Sequence, residues 1–105
     1  MKKKWTLEDV RDTFRRNEKL FHALGDVQRQ TILLLLAEHA RLNVTQIAEN
    51  MTLSRPAVSH HLRVLKDAGL IQMERESREN FYSLIWDEPI AQLRLLIEQA
   101  EIACS

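Results

Sequence analysis

The chain has 105 residues, enough for one domain with a single modest core, and its 45% hydrophobic and 29% charged content is that of an ordinary globular protein. Its 15 basic and 15 acidic residues cancel, which argues against a generally basic nucleic-acid coat protein. The one cysteine, Cys104, cannot form an internal disulfide, and the longest apolar run, Ile32 to Ala37, is too short to span a bilayer. Nothing resembles a signal peptide, so we expect a soluble, cytoplasmic protein.

The charge is distributed unevenly along the chain. Residues 1–19 carry seven basic and four acidic side chains (net +3), residues 54–78 carry five and three (+2), and residues 87–105 carry one and four (−3). The positive field is therefore local, and a neutral protein with a basic stripe can still bind DNA.

The N-terminal third is predicted to be helical. Residues 1–5 read as a flexible tail, and Thr6 with Asp9 resembles a capping box that opens a helix from Leu7 to about Leu24. Gly25 ends that helix.

Asp26 is predicted to cap a second helix, Val27 to roughly His39, which is built around the run ILLLLA. A helix that is apolar nearly all round should be central and buried. Residues 42–44 read as a brief extended link to the next helix.

Residues 45–69 are predicted to form a helix-turn-helix. A short helix over 45–51, capped by Thr45, is followed after only two residues by a longer one that Ser54 caps and Gly69 ends, with Pro56 in its first turn. Helical hairpins of small bundles share this geometry, so the tight turn by itself leaves open whether DNA is bound.

The longer helix has two faces with different chemistry. Its apolar arc packs on a core and comprises Ala57, Val58, Leu62, Val64, Leu65 and Ala68. His61 falls on this arc, so we interpret it as a packed core histidine. The other arc suits a groove lined with acceptors and phosphates, and it comprises Ser59, His60, Arg63, Lys66 and Asp67.

After Gly69 the period becomes two-fold, which predicts a β-hairpin over residues 70–86 that acts as a wing. Arg75 and Arg78 flank its tip, where a guanidinium can reach a minor groove or a phosphate. The alternative is a solvated turn in which Glu76 and Glu79 pair with these arginines.

Residues 87–104 are predicted to form a last helix, capped by Asp87, with Pro89 in its first turn. Its apolar edge comprises Ile90, Leu93, Leu96, Ile97 and Ala100. This edge either closes the domain's own core or pairs with a copy of itself. Together with the N-terminal helix it exceeds what so small a core can cover, which favours a symmetric homodimer.

Three segments of the chain resemble the ArsR/SmtB family of winged-helix bacterial transcriptional repressors. They are LFHALGD at 20–26, LSRPAVSHHLRVLKDAGLI at 53–71 and RESRENFYSL at 75–84, within a match from about residue 20 to 104. The resemblance implies a mainly α winged helix-turn-helix with a small β-hairpin wing, dimeric through its N- and C-terminal helices. It also implies a repressor that binds an inverted-repeat double-stranded DNA operator and lets go when an effector binds.

The resemblance assigns DNA contacts residue by residue. Major-groove positions would be Ser54, Arg55, Ser59, His60 and Arg63, with Arg78 at the wing tip. The chain departs from the family pattern at Val27, which replaces a helix-starting proline, and at Thr52 and Ser77, which replace glycines at tight turns. The turn type of the wing is therefore left open.

The metal sites of the family are not matched, so we expect no metal and no cofactor. Asn43, Val44 and Thr45 replace a Cys-Val-Cys, and neither Asn nor Thr offers a thiolate. The last helix contains no histidine, and Glu98 and Glu101 share a face that is typical of a solvated edge. Cys104 is either a redox switch with its symmetry mate or a bystander thiol near a fraying end.

The sequence bears on two classes of function other than a DNA-binding regulator. The near-neutral charge keeps open a winged-helix module that binds a protein partner without sequence-specific DNA binding. An enzyme is disfavoured because the sequence has no Gly-rich phosphate loop, no nucleophile elbow and no plausible carboxylate pair. The sequence names neither an effector nor an operator.

Overall fold

The computed structural model describes residues 4–105, which form six helices and one small antiparallel sheet. In chain order the elements are α1 (Leu7–Arg16), α2 (Glu18–Leu24), α3 (Val27–Glu38), β1 (Leu42–Asn43), α4 (Val44–Glu49), α5 (Arg55–Asp67), β2 (Ile71–Glu76), β3 (Glu79–Leu84) and α6 (Asp87–Ala103). The first three residues of the predicted flexible tail lie outside the described part of the chain.

The sheet has three strands in the order β1-β3-β2, so the wing is anchored to the body of the protein. Leu42 of β1 pairs with Tyr82 and Asn43 with Phe81, both on β3. The link predicted over residues 42–44 is thus largely a strand, and its two residues pair with residues of the hairpin that lie 40 and 38 positions later in the chain.

One apolar cluster holds the helix-turn-helix against α2, α3 and the base of the sheet. Its fully buried members, which are at most 1% exposed, include Ile32, Ile47, Val58, Leu62, Leu65, Leu70 and Ile71. The prediction that α3 is buried all round is wrong, because Val27 is 73% and Leu34 is 67% exposed. The helix is central, but only the face that carries Ile32, Leu33 and Leu36 is buried.

The single helix predicted from Leu7 to Leu24 is interrupted at Asn17, whose backbone (φ −109°, ψ 21°) leaves the helical region. The side-chain amide of Asn17 donates to the backbone oxygen of Thr13 at 2.8 Å and to Oε1 of Gln92 at 2.9 Å. A short amide side chain that bonds to nearby backbone competes with the regular helix, and the helix is divided there into α1 and α2. The capping box of Thr6 and Asp9 is confirmed.

Helices α1 and α6 pack on each other and extend the molecule. A buried hydrogen bond joins them, in which Oγ1 of Thr13 donates to Oε1 of Gln99 at 2.6 Å. The described chain measures 52 × 24 × 20 Å with a radius of gyration of 16.4 Å, whereas a compact domain of this length has about 13 Å. No helix among the described residues is long and apolar enough to cross a membrane.

Two predicted helix caps are wrong. Helix α4 starts at Val44 and is capped by Asn43, which forms a reciprocal capping box with Gln46, so Thr45 lies inside the helix. Asp87 is the first residue of α6 and not its cap, and the capping position belongs to Trp86, which makes no side-chain cap bond. An acid inside the first turn still stabilises the positive end of the helix.

Candidate nucleic-acid interface

Helix α5 is built as the sequence predicts, with a cap at its start and a glycine at its end. Oγ of Ser54 accepts a hydrogen bond from the backbone N–H of Ala57 at 3.3 Å, and Pro56 occupies the first turn. Gly69 follows the helix with φ +77°, a conformation that other residues adopt only under strain. Helix α4 packs against α5 across the short turn, so the two form a helix-turn-helix.

The side chains predicted to meet DNA all lie at the surface. On α5 and its cap they are Ser54, Arg55, Ser59, His60, Arg63 and Lys66, and every one is exposed. The opposite side of the helix is buried through Val58, Leu62 and Leu65. Within residues 4–105, Arg55, Arg63 and Lys66 form no ion pair, so their charges are available to a polyanion.

The wing ends in a two-residue turn with an unusual backbone. Ser77 has φ 49° and Arg78 has φ 71°, and Glu76 pairs with Glu79 on either side of them. Positive φ at both central residues is the signature of a type I′ hairpin turn, whose twist matches that of the strands. This geometry settles the turn type that the serine at position 77 leaves open, and it presents Arg78 at the very tip.

The acids of the wing do not neutralise its tip arginines. Glu76 forms an ion pair and hydrogen bond with Arg41, whose guanidinium also lies 4.1 Å from the ring centroid of Phe81. That hydrogen bond lowers the pKa of Glu76 and raises the pKa of Arg41. Arg75 donates to Oδ1 of Asn80 at 3.2 Å, while Arg78 forms no ion pair within the described chain.

A polar cavity of about 200 Å³ connects the start of α5 to the tip of the wing. Arg55 of α5 and Arg78 of the turn both line it, and the remaining lining residues are Asn43, Val44, Thr45, Glu79 and Asn80. The structure therefore brings together two predicted arginines that are 23 positions apart in the sequence. Asn43, Thr45 and Asn80 were not predicted for this surface, and no local pattern marks them, because only the folding of the wing places them there.

His61 is half-buried, and it makes a polar contact that its place on the apolar arc does not predict. Its Nδ1 lies 3.1 Å from Nη1 of the buried Arg29. Its ring also lies at 5.7 Å from that of His60, tilted by 54°, although His60 itself is exposed. His61 thus turns towards the body of the protein while the neighbouring His60 stays exposed, as their places on different arcs predict.

No group of three or more His, Cys, Asp or Glu side chains within residues 4–105 is arranged to hold a metal ion. The positions of the family's Cys-Val-Cys line the polar cavity with amide, methyl and hydroxyl groups. Glu98, Glu101 and Cys104 are all exposed near the end of α6.

Together, the helix-turn-helix, the exposed cations of its second helix and the anchored hairpin define a winged helix-turn-helix protein. The model of the bacterial regulatory protein arsR family matches residues 26–73. The chain is 32% identical over 88 residues to an HTH-type transcriptional regulator, MJ1325, of Methanocaldococcus jannaschii, covering 84% of this chain and 98% of that one. It belongs to the arsR family of bacterial transcriptional regulators.

Two further relatives are known by a function, one as a transcriptional repressor and one as a DNA-binding domain. The transcriptional repressor SdpR of Bacillus subtilis is 38% identical over 65 residues, which cover 62% of this chain and 71% of that protein. The solved homodimeric winged helix-turn-helix DNA-binding domain of a possible ArsR-family regulator from Mycobacterium bovis is 30% identical, with a TM-score of 0.63 over 77% of this chain and 73% of that one.

Proposed function

We propose that this chain is a homodimeric repressor of transcription that binds an inverted-repeat operator in the cytoplasm. One surface, formed by a recognition helix and the adjoining wing, carries the proposal. Four of its cations have neither an ion pair nor a side-chain hydrogen bond among residues 4–105: Arg55, Arg63, Lys66 and Arg78. A DNA backbone supplies the anions that such a surface lacks.

The side chains divide into base-reading and phosphate-binding groups. Ser59, His60 and Arg63 occupy the middle of the exposed face, where the edge of a major groove is in reach, and Arg63 can donate two hydrogen bonds to a guanine. Ser54 and Arg55 at the start of the helix, Lys66 towards its end, and Arg75 with Arg78 on the wing complete the proposed interface. The cavity shared by Arg55 and Arg78 has the size and the charge to receive one phosphate between helix and wing.

The elongated pair α1 and α6 supports the homodimer. It leaves Leu7 62%, Phe14 51% and Ile97 58% exposed, which is more apolar surface than a projecting helical hairpin normally leaves in water. Two copies that pair these helices around a two-fold axis bury those side chains and place two recognition helices on one face. Half-sites one helical turn apart follow from such an arrangement.

The experiment that tests the proposal is a selection of bound fragments from random-sequence duplex DNA at near-physiological salt, followed by sequencing. Enrichment of an inverted repeat supports a dimeric regulator. No enrichment, with binding that vanishes as the salt concentration rises, would mean non-specific electrostatic attraction only and would favour the protein-interaction module.

Two substitutions then test the groove assignment on the selected duplex. Arg63→Ala and His60→Ala should each weaken binding by roughly fivefold to a hundredfold, because each removes a base-edge contact worth about 1–3 kcal/mol. His39→Ala is the matched control, since His39 is an exposed histidine at the end of α3 and lies outside the proposed interface. Variants of both residues that bind as tightly as the wild type would place the interface elsewhere.

A further inference from the structure

Arg29 is a cation that the fold has taken out of water. It lies in the first turn of α3 and is only 6% exposed, although arginine is rarely buried without compensation. Its carboxylate neighbour Asp26 is 3.9 Å away and accepts the backbone N–H of Arg29 at 3.0 Å. The charge of Arg29 therefore needs further partners.

The end of α2 supplies two of these partners. Nε of Arg29 donates to the backbone oxygen of Ala23 at 3.0 Å, and Nη2 donates to that of His22, also at 3.0 Å. Both oxygens belong to the last turn of α2, where the helix dipole is negative, and that of His22 also accepts from the N–H of Gly25 at 3.3 Å. The guanidinium is thereby fixed in position and orientation.

The third partner is on the recognition helix. Nη1 of Arg29 lies 3.1 Å from Nδ1 of His61. Arginine has only donors, so Nδ1 must be the acceptor, and the imidazole must be neutral with its proton on Nε2. Arg29 thus fixes one tautomer of His61, and it does so on the side of α5 that faces away from the exposed cations.

We propose that Arg29 is a positioning residue that sets the rotation of the recognition helix about its axis through His61. The proposal rests on the proposed function, since the helix face whose orientation Arg29 sets is the one that carries His60 and Arg63. Among residues 4–105, the other side-chain contacts of α5 with the body are apolar, as those of Val58, Leu62 and Leu65 are. Apolar packing fixes which side of α5 is buried, and a hydrogen bond from a fixed guanidinium adds a directional restraint on the rotation of the helix.

The first test needs no DNA and uses the full-length wild-type protein. The nitrogen-15 shifts of the four histidine rings, recorded at mildly alkaline pH, report which ring nitrogen carries the proton. His61 should show only a bare Nδ1 and a protonated Nε2, and Arg29→Lys, whose shorter ammonium cannot serve all three acceptors, should return His61 to the tautomer mixture of an unrestrained imidazole. The exposed His39, at the far end of α3, is the control, and its shifts should not respond to this substitution. A tautomer mixture at His61 in the wild type, or a protonated Nδ1, would overturn the proposal.

The second test measures affinity for the duplex recovered by selection. Arg29→Lys and His61→Leu should each weaken binding about tenfold, the loss expected for one charge-assisted hydrogen bond. The double variant should bind no more weakly than either single one, and His61→Gln, which keeps an acceptor oxygen, should recover most of the affinity. Binding is compared at a temperature where circular dichroism shows each variant folded.

Additive losses, or a His61→Gln variant as weak as His61→Leu, would mean that Arg29 and His61 act separately and would overturn the proposal. The two tests also separate the two hypotheses. If no operator is recovered, the proposed function fails while the ring shifts still decide whether Arg29 fixes His61.

Discussion

Thr13 and Gln99 join α1 to α6 through a buried hydrogen bond whose loss we expect to destabilise the protein by about 2 kcal/mol. The two residues are 0% and 3% exposed, and 2.6 Å separates the hydroxyl from the amide oxygen that accepts it. Thr13→Val keeps the shape of the side chain but leaves Oε1 of Gln99 buried without a donor. A buried polar atom in that state costs about 1–3 kcal/mol. The hydroxyl also accepts from Nη2 of Arg16 at 3.2 Å, but Arg16 is exposed and water can replace that contact.

Urea and thermal unfolding at one fixed protein concentration measure the loss, since association of two copies would make the midpoint concentration-dependent. For a domain of this size, 2 kcal/mol lowers the melting temperature by roughly 10 °C. Replacing both partners, as Thr13→Val with Gln99→Leu, should recover most of the stability, because no unpaired polar atom remains. The reasoning would be refuted if Thr13→Val melted with the wild type, or if the double variant lost the sum of the single losses.

Three further predictions concern single positions. Gly69→Ala should destabilise the protein by about 1–2 kcal/mol in urea unfolding, because φ is +77° even though no atom lies within 4 Å of the added Cβ; an unchanged midpoint would contradict this. Ser77→Gly should raise the stability by about 0.5–1 kcal/mol, because it relieves a positive φ in the type I′ turn, and a lower melting temperature would contradict the turn assignment. The N–H of Arg29 donates to Asp26 and holds the pKa of that carboxyl below its ordinary 3.8. The contribution of this hydrogen bond to the stability of the protein is therefore complete above about pH 4, and it is lost as the pH falls through the lower pKa of the folded state. The melting temperatures of the wild type and Asp26→Ala should therefore differ at neutral pH and converge in acid, and a gap that stays constant would exclude this linkage.

The features that the sequence predicts correctly are local ones. Ser54, Asp26 and the pair Thr6 and Asp9 cap helices where their spacing says they do. The change from helical to two-fold period after Gly69 locates the wing. Such signals act within about four residues, so the pattern alone is enough to detect them.

One wrong prediction, the cap of α4, concerns a position where two local signals compete. Asn43 and Gln46 show the three-residue spacing of a capping box, yet Thr45 is an equally plausible cap by residue type. The strand β1 explains the outcome, because its pairing with β3 fixes where the extended chain ends and where α4 begins. Tertiary pairing decided between two local alternatives.

The contacts that position the interface could not be predicted, because they join distant parts of the chain. Arg41 meets Glu76 across 35 positions, Arg29 meets His61 across 32, and Thr13 meets Gln99 across 86. Nothing in a single sequence marks such partners, since each residue taken alone is an ordinary charged or polar side chain. All eight predicted DNA-contacting residues lie at the surface, but whether they bind DNA stays a prediction.

The anchoring of the wing affects the entropy of binding. A free hairpin gives up about 1–2 kcal/mol of conformational freedom for each residue that a ligand orders. Here β1 hydrogen-bonds to β3, and Arg41 clamps Glu76 while stacking on Phe81, so the stem is already ordered before any duplex arrives. Ordering on contact is then confined to the side chains at the tip, and we expect the association rate to depend on diffusion and charge more than on rearrangement of the wing.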